Sequence, residues 1–340
     1  MTDEAGTRGR RGSAATIYDV AELAGVSPST VSRALSKPGR IAASTEAKIR
    51  AAADQLRFRV NPMARGLYTG RSQTLALLVA DITNPVIFGI VRGAEQAASE
   101  AGYTLVIAES QESGEAEGEV LRRLVPSVDG IILATTRLSV ETMHELVGDK
   151  PTVLINRDVP SIPAILPDVE KGVSELVEHL DGLGHTSIAY LAGPAASWIS
   201  DRRWERLLEH TEKRGIAAVE IGPNSPTIAG GRAAVRRVRA SRATAVVAFN
   251  DLLAIGLMQQ LADDGVGVPA EISVSGFDDI FGSELIVPAL TTVRSQLESA
   301  GARAARLLIS IVDDQEPDDA RHLLETELIV RASTGPAAAS

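Results

Sequence analysis

The chain has 340 residues, of which 44% are hydrophobic and 3% are aromatic, and its formal net charge is −10. This length leaves room for two or three domains with large cores. The sequence has no cysteine, its five histidines are scattered, and no run of about 18 apolar residues occurs, so thiol chemistry, a metal site and a membrane span are not expected.

The charge is divided unevenly along the chain. Residues 1–72 contain 12 Lys and Arg against 6 Asp and Glu, whereas the remaining residues contain 22 against 38. A basic N-terminal part can neutralise phosphates, and an acidic remainder discourages non-specific contact with a duplex. The two parts are therefore predicted to have different partners.

Residues 16–35 predict two short helices joined by a glycine turn. Apolar residues recur at helical spacing in the first helix, Gly25 supplies the turn, Ser27 is placed to cap the second helix, and Pro28 takes its first position. The second helix keeps a polar outer face, on which Arg33 can donate two hydrogen bonds to a guanine. This pattern is typical of a DNA-binding helix-turn-helix, and an ordinary capped helical hairpin is the alternative.

The segments on either side complete the predicted head. Residues 1–15 are rich in Gly, Arg and small polar residues and are predicted to be disordered. A third helix is expected to start at Ser44 or Thr45, which gives a three-helix DNA-binding domain at residues 16–60. Residues 61–72 are either a hinge helix that forms under some conditions or a flexible linker.

From residue 74 onward, continuous runs of Val, Ile and Leu alternate with amphipathic helical patterns. Such runs, separated by helices, are typical of parallel sheets covered on both faces. The predicted strands cover residues 74–80, 103–108, 129–134, 152–155, 187–191, 218–221, 243–248, 272–276 and 323–330. The predicted helices cover residues 87–101, 115–125, 169–183, 203–214, 230–240, 252–264 and 295–312.

The predicted fold class is an N-terminal all-α helix-turn-helix head followed by an α/β core of two doubly wound parallel-sheet lobes. The core is expected at residues 73–335. One lobe is predicted at about 73–158 and 290–313, and the other at about 159–289 and 318–333, because late segments of this kind can cross back between lobes.

Several ordered motifs resemble the LacI/GalR family of bacterial transcription regulators. They include DVAELAGVSPSTVSRAL at residues 19–35, NPMARGL at 61–67, FND at 249–251, GFDD at 276–279 and LTTVR at 290–294. The resemblance covers about the whole chain after residue 15. It implies a core like a periplasmic binding protein and a homodimer whose two heads read a pseudo-palindromic operator.

The resemblance also assigns DNA contacts. Ser29 and Arg33 match positions that face bases, and Pro28 occupies a base-facing position without a donor, so that it can contact only a thymine methyl. Leu67 matches a leucine that wedges into the minor groove from a hinge helix folded on DNA. The other assigned residues, at phosphate or flanking positions, are Thr16, Tyr18, Ser27, Thr30, Ser32, Thr45, Asn61 and Ala64.

A second implication of the resemblance is an effector in the cleft between the lobes. A carboxylate, an amide and a guanidinium can each form paired hydrogen bonds with vicinal hydroxyls, and an aromatic face can cover a sugar ring. Each assignment has a structural alternative, such as a helix cap for an Asp or an exposed helix position for an Arg. The assigned residues are Ile87, Asn156, Trp198, Arg203, Phe249, Asn250, Phe277 and Asp278.

Both tryptophans of the chain, Trp198 and Trp204, flank Arg203. Their concentration at one helix start indicates that this segment shapes the pocket. Packing of Trp204 into its own lobe is the alternative.

We therefore expect a ligand-controlled transcription regulator, a repressor, in the cytoplasm and associated with the nucleoid. Its expected partners are operator DNA, a second copy of the chain and a small polar effector such as a sugar, nucleoside or polyol. No cofactor and no membrane contact are expected. An enzyme is disfavoured because no dinucleotide or P-loop motif follows the first strand. A solute-binding receptor without a regulatory role is the alternative, against which the basic head and the missing export signal argue.

Overall fold

The computed structural model describes residues 15–36, 40–58, 71–315 and 321–338. The chain divides into two compact units, residues 1–72 and 73–340, which we call the head and the core. Residues 1–14 of the predicted disordered arm lie outside the described residues. The predicted hinge residues Asn61, Ala64 and Leu67 also lie outside them.

Within its described residues the head has three short helices, which are α1 (Ile17–Ala24), α2 (Pro28–Ser36) and α3 (Ala43–Gln55). Thr16 begins α1 with a capping box, in which its side chain and that of Asp19 each bond to the other's backbone amide. Gly25 ends α1 in a left-handed conformation, at φ 65°. Val20, Val31 and Ile49, one from each helix, are fully buried and form the centre of a small core.

The predicted start of the third helix is wrong by one or two residues. Its N-cap is Ala42, which makes no side-chain capping bond. The main-chain carbonyl of Ala42 instead accepts from the amides of Thr45 and Glu46, at 2.8 and 3.0 Å. Because the backbone closes this first turn by itself, neither Ser44 nor Thr45 is needed as a cap.

The part of the core that the structure describes contains twelve strands in two six-stranded sheets. Their order is β11-β5-β4-β3-β1-β2 in the first sheet and β12-β10-β9-β8-β6-β7 in the second. All neighbours are parallel except β10 and β12, which are antiparallel. The strands are β1 (Thr74–Val79), β2 (Thr104–Glu109), β3 (Gly130–Ala134), β4 (Thr152–Ile155), β5 (Ala164–Pro167), β6 (Ser187–Leu191), β7 (Ala217–Ile221), β8 (Ala245–Ala248), β9 (Ser273–Asp278), β10 (Thr291–Arg294), β11 (Arg321–Leu324) and β12 (Glu327–Ile329).

Eight helices of the described core cover the faces of these sheets. They are α4 (Val86–Glu100), α5 (Gly114–Leu124), α6 (Val140–Val147), α7 (Val169–Gly182), α8 (Trp198–Glu212), α9 (Ile228–Ser241), α10 (Asp251–Asp263) and α11 (Leu297–Val312). In the first lobe, α4 and α11 bury one face of the sheet, and α5 and α6 bury the other. The second lobe has one large apolar cluster, to which α7, α8, α9 and α10 all contribute. No helix among the described residues is long and apolar enough to cross a membrane.

The crossings between the lobes differ from the prediction. Strand β5 belongs to the first sheet and β10 to the second, although residue 159 was expected to open the second lobe and residue 290 to return to the first. The predicted strand at 323–330 is two strands, β11 in the first sheet and β12 in the second. Short strands at a crossing have weak local patterns, because pairing partners distant in sequence decide which sheet they join.

Other elements were missed or shifted. The sequence reading did not predict α6, β5 or β10, each of which has eight or fewer residues. Helix α8 begins at Trp198 rather than Arg203, because the Ser197 side chain accepts a hydrogen bond from the amide of Ser200. The late helix α11 packs on the first lobe as expected.

The crossing of α4 and α11 depends on glycine. A Cβ added to Gly301 of α11 would overlap the carbonyl oxygen of Ile90, and one added to Gly93 of α4 would overlap that of Glu298. The two backbones therefore approach each other more closely than alanine allows.

We expect Gly301→Ala to lower the free energy of unfolding by about 1–3 kcal/mol, because the helices must move apart. Gly182→Ala is the control, since a Cβ on this last residue of α7 meets nothing within 4 Å and should change stability by less than about 0.5 kcal/mol. Urea denaturation of both variants measures the difference. Equal effects would contradict the glycine requirement.

Candidate functional site

The outer face of α2 presents polar side chains to solvent. Ser27 accepts a hydrogen bond from the Thr30 amide at 3.3 Å, which confirms the predicted cap. Its hydroxyl also lies 2.8 Å from those of Ser29 and Thr30. Ser29, Ser32 and Arg33 are exposed, whereas Pro28 and Thr30 are half-buried. Exposed hydroxyls and a guanidinium on one short helix are donors suited to phosphates and base edges.

Three other residues of the head that are predicted to contact DNA lie before or after α2 in the sequence. Thr16 is exposed and serves the α1 cap, Tyr18 is 68% exposed, and Thr45 is half-buried in α3. The exposed phenol of Tyr18 has no packing role that would require an aromatic ring at that position. Its placement is compatible with a phosphate contact.

The core has a cavity of about 40 Å³ between the carboxyl ends of the two sheets, which we call the cleft. Six of the eight predicted effector residues line it, and Trp198 and Phe277 do not. Polar side chains that sequence reasoning did not assign complete the wall. The predicted lining residues are Ile87, Asn156, Arg203, Phe249, Asn250 and Asp278, and the unassigned polar ones are Asp81, Asn84, Glu112, Thr135 and Arg137.

Arg203 lies at the centre of the wall that the second lobe contributes. It is 5% exposed, so it is not a solvent-facing helix residue. Its Nη1 donates to the carbonyl of Phe249, and its Nη2 donates to Asp278 Oδ1 at 3.3 Å. The guanidinium carbon lies 4.2 Å from the ring centroid of Phe277 and 5.3 Å from that of Phe249. Phe277 therefore supports Arg203 from behind rather than facing the cleft.

Asp278 and Asp251 form an acidic layer beneath this wall. Burial raises the pKa of Asp278, against the lowering effect of the Arg203 guanidinium. Burial, with a smaller contribution from Asp278, raises the pKa of Asp251 to about 7. Asp251 accepts from the hydroxyls of Ser283 and Thr292, both at 2.6 Å. Sequence reasoning missed Asp251, because a residue that follows a helix cap usually faces solvent.

Asn250 is already engaged in structural hydrogen bonds. Its Oδ1 caps α10 by accepting from the Leu253 amide at 2.9 Å, and its Nδ2 donates to the Pro226 carbonyl at 3.1 Å. One N–H and one lone pair of the amide remain for a ligand. The observed hydrogen bonds of Asn250 are thus those of a helix cap, which is the structural alternative to a role in effector binding.

The first lobe contributes loops with a strained backbone. Glu112, Thr135 and Asn156 follow β2, β3 and β4, and each has a φ of about +60°, a conformation that side chains disfavour. Asp278 of the second lobe also has a positive φ, of 106°. Strain of this kind collects at functional sites, where the surrounding structure maintains it.

Arg137 and Glu112 form a pair in the first-lobe wall. Nε and Nη2 of Arg137 lie 2.8 and 2.7 Å from Glu112 Oε2, and the Arg137 side chain is only 5% exposed. Nη1 of Arg137 donates to the Thr135 carbonyl at 2.7 Å. Their positions in two separate loops gave no local sequence signal.

The two tryptophans have different roles. Trp204 stacks on Tyr190, with ring centroids 5.9 Å apart, and packs into the second lobe. This is the predicted alternative to a role in shaping the pocket. Trp198 packs against the apolar clusters of both lobes. Trp198 is thus a contact between the lobes and not part of the cleft lining.

A larger groove of about 420 Å³ lies on the outer side of α10. Its lining is mostly apolar, with Val287 and Pro288 at one side. Polar groups from two sheets converge on the smaller cleft, and convergent polar groups are what orient a small ligand. The cleft is therefore the candidate ligand site.

Two family models match the chain. The model of bacterial regulatory proteins of the lacI family matches residues 16–61, and the model of a periplasmic-binding-protein-like domain matches residues 177–334. The first match covers the head helices, and the second covers most of the second lobe together with α11.

Similar solved structures include the lac repressor dimer bound to operator and the anti-inducer ONPF. It has a TM-score of 0.85 and 27% identity, and the match covers 95% of this chain and all of that chain. A LacI family regulator from Enterococcus faecium with bound ribose has a TM-score of 0.69 and 28% identity, over 77% of this chain and 99% of the other.

Relatives align with both units. The ribose operon repressor of Halalkalibacterium halodurans is 32% identical over 323 residues, which are 94% of this chain and 97% of that protein. The transcriptional regulator GalR of Escherichia coli is 30% identical over 327 residues, which are 94% and 95% of the two proteins. These alignments include the helix-turn-helix head as well as both lobes, and the chain therefore belongs to the LacI/GalR family of bacterial transcriptional regulators.

Proposed function

We propose that this regulator is a repressor that binds a pseudo-palindromic operator as a homodimer and responds to a small polar effector in the cleft. The observation that carries the effector claim is the convergence of polar side chains from both lobes on one cavity. The exposed polar face of α2 supports DNA reading. The protein would act in the cytoplasm, on the nucleoid.

Few side chains of α2 can donate hydrogen bonds to the edges of DNA bases. Arg33 can bond to two acceptors of one guanine, and Ser29 can bond to either type of base edge. Pro28 contributes only an apolar contact. We propose that Thr16, Tyr18, Ser27, Thr30, Ser32 and Thr45 bind phosphates and that Asn61, Ala64 and Leu67 contact the minor groove.

The small volume of the cleft indicates how an effector could act. About 40 Å³ holds one or two water molecules and no sugar. A sugar, nucleoside or polyol therefore has to separate the lobes when it binds. Such a ligand favours an open core over a closed one and shifts the population of the two states.

Exposed apolar side chains support a two-fold dimer. Phe281, Leu285 and Val287 are 65%, 69% and 97% exposed on the second lobe, next to the groove along α10. A patch of large apolar side chains in water is typical of a protein interface.

The effector claim is tested in two steps. A thermal-shift screen of monosaccharides, nucleosides and polyols identifies ligands of the native state, because only these raise the midpoint. Operator affinity is then measured with and without the ligand that binds. An unchanged affinity would contradict ligand control.

We expect Arg33→Ala to weaken operator binding by about 1–3 kcal/mol and to relax the preference at one base pair. Arg33→Lys is the matched control, because it keeps the charge and loses the bidentate geometry. Binding to single-substitution operators measures both effects. Uniform weakening on every operator would instead make Arg33 a phosphate contact.

We expect Asp278→Asn to retain operator affinity and to lose the response to the effector, because the carboxylate acceptor is removed from the cleft. Asp149→Asn, at an exposed position of the first lobe, should keep the response. Effector titration of the operator complex compares them. A normal response in Asp278→Asn would remove this residue from the site.

Effector binding should shift tryptophan emission to longer wavelength, because separation of the lobes exposes Trp198 to water. The shift should persist in Trp204→Phe and disappear in Trp198→Phe. Steady-state fluorescence measures both variants. A shift that persists without Trp198 would argue against movement of the lobes.

A further inference from the structure

The cleft contains cationic side chains that are already neutralised. We infer that Glu112 makes the cleft selective for neutral ligands, because it occupies Arg137, the one cationic side chain that the first lobe contributes to the described cleft lining, and so denies it to a phosphate or carboxylate. This inference rests on the proposed function of the cleft as the effector site, and it narrows the effector to an uncharged polyhydroxylated molecule.

The geometry leaves Arg137 no nitrogen without an acceptor. Nε and Nη2 both lie within 2.8 Å of Glu112 Oε2, and Nη1 donates to the Thr135 carbonyl. The Arg137 main-chain amide donates to Glu117 Oε2 at 2.8 Å. A guanidinium recognises an anion through pairs of N–H donors on one edge, and here Glu112 takes the edge formed by Nε and Nη2.

The second cation of the cleft is held in the same way. Both terminal nitrogens of Arg203 donate to protein acceptors, which are the Phe249 carbonyl and Asp278. Its flat faces lie near the rings of Phe249 and Phe277. An anionic ligand would have to displace Asp278 to reach this guanidinium.

The charges that line the cleft have an acidic excess. Three carboxylates, those of Asp81, Glu112 and Asp278, stand against two guanidiniums. Asp81 Oδ1 accepts from the amide and hydroxyl of Thr83, at 2.8 and 2.6 Å. Glu117 and Arg157 interact electrostatically with Arg137, but neither lines the cleft. Both guanidiniums of the cleft lining already have protein acceptors, so a ligand anion taken from water would have to displace one of them.

The same wall suits hydroxyl groups. Carboxylate oxygens accept hydrogen bonds and cannot donate them when ionised, and the Asn84 and Asn156 amides offer both functions. The apolar side chains of Ile87 and Phe249 can cover the C–H face of a sugar ring. Neutral sugars and polyols therefore match the groups present.

Glu112 is the residue on which this selectivity depends. It lies in the loop after β2, its side chain is 24% exposed, and among the described contacts its carboxylate bonds to Arg137 alone, while its main-chain amide donates to the Ala80 carbonyl. Without its negative charge, the buried guanidinium keeps at most a neutral acceptor on the edge formed by Nε and Nη2. That edge is a ready site for a phosphate oxygen pair.

The test compares anion binding by the full chain with Glu112 or with its neutral isostere. Inorganic phosphate is titrated into the wild type, Glu112→Gln and Glu119→Gln by calorimetry, at constant ionic strength. Glu119→Gln is the matched control, because it removes the same charge from an exposed position of the same lobe. We expect Glu112→Gln to bind phosphate at least about tenfold more tightly than the wild type and the control. The double variant Glu112→Gln/Arg137→Gln should lose this binding.

A second arm uses only the wild type and so does not depend on the folding of a variant. Thermal shifts are measured with D-ribose and ribose 5-phosphate, and with D-glucose and glucose 6-phosphate. We expect neither ester to stabilise the protein more than its parent sugar. A greater shift with an ester, or no phosphate binding by folded Glu112→Gln, overturns the inference.

These measurements contain no DNA. Phosphate binding by Glu112→Gln together with an operator affinity that no ligand changes would disprove the proposed regulation and leave the charge selectivity intact. Control of the operator complex by a sugar phosphate in the wild type would support the proposed regulation and disprove the charge selectivity.

Discussion

One buried guanidinium organises the second-lobe side of the cleft. Arg203 projects from α8 and joins the end of β8, through the Phe249 carbonyl, to the end of β9, through Asp278. A charge at 5% exposure is stable only if its partners stay in place. The carbonyl, the carboxylate and the two aromatic rings around Arg203 must therefore keep their positions together, and they set the shape of the wall.

A second buried acid extends this arrangement into the lobe. Asp251 begins α10 and is held by hydroxyls of β10 and of the loop after β9, together with the Ile280 amide at 3.0 Å. The start of α10, the end of β9 and β10 are thus linked through one carboxylate. With the Arg137–Glu112 pair in the first lobe, the cleft has cations on both walls, and each is matched by an acid. Recognition in such a site depends on hydrogen-bond geometry rather than net charge.

The lobes are connected by chain crossings and by one aromatic contact. The crossings lie between β5 and α7, between β10 and α11, and between β11 and β12. Trp198 starts α8, which belongs to the second lobe, yet it also packs against the first-lobe core. Because Arg203 lies on the same helix, a change in the angle between the lobes moves the Trp198 contact and the cleft wall as one body.

The sequence by itself determined the family, the three-helix head and the alternation of strands and helices, because capping residues, glycine turns and apolar periodicity are local signals. It also placed Arg203, Asn250 and Asp278 at the cleft, through the resemblance to the family. Only the tertiary structure decided which sheet β5, β10 and β11 join, that Trp198 bridges the lobes, that Phe277 supports Arg203, and that Glu112 holds Arg137. Each of these depends on residues far apart in sequence that meet only when the sheets assemble, and such pairings have no local pattern.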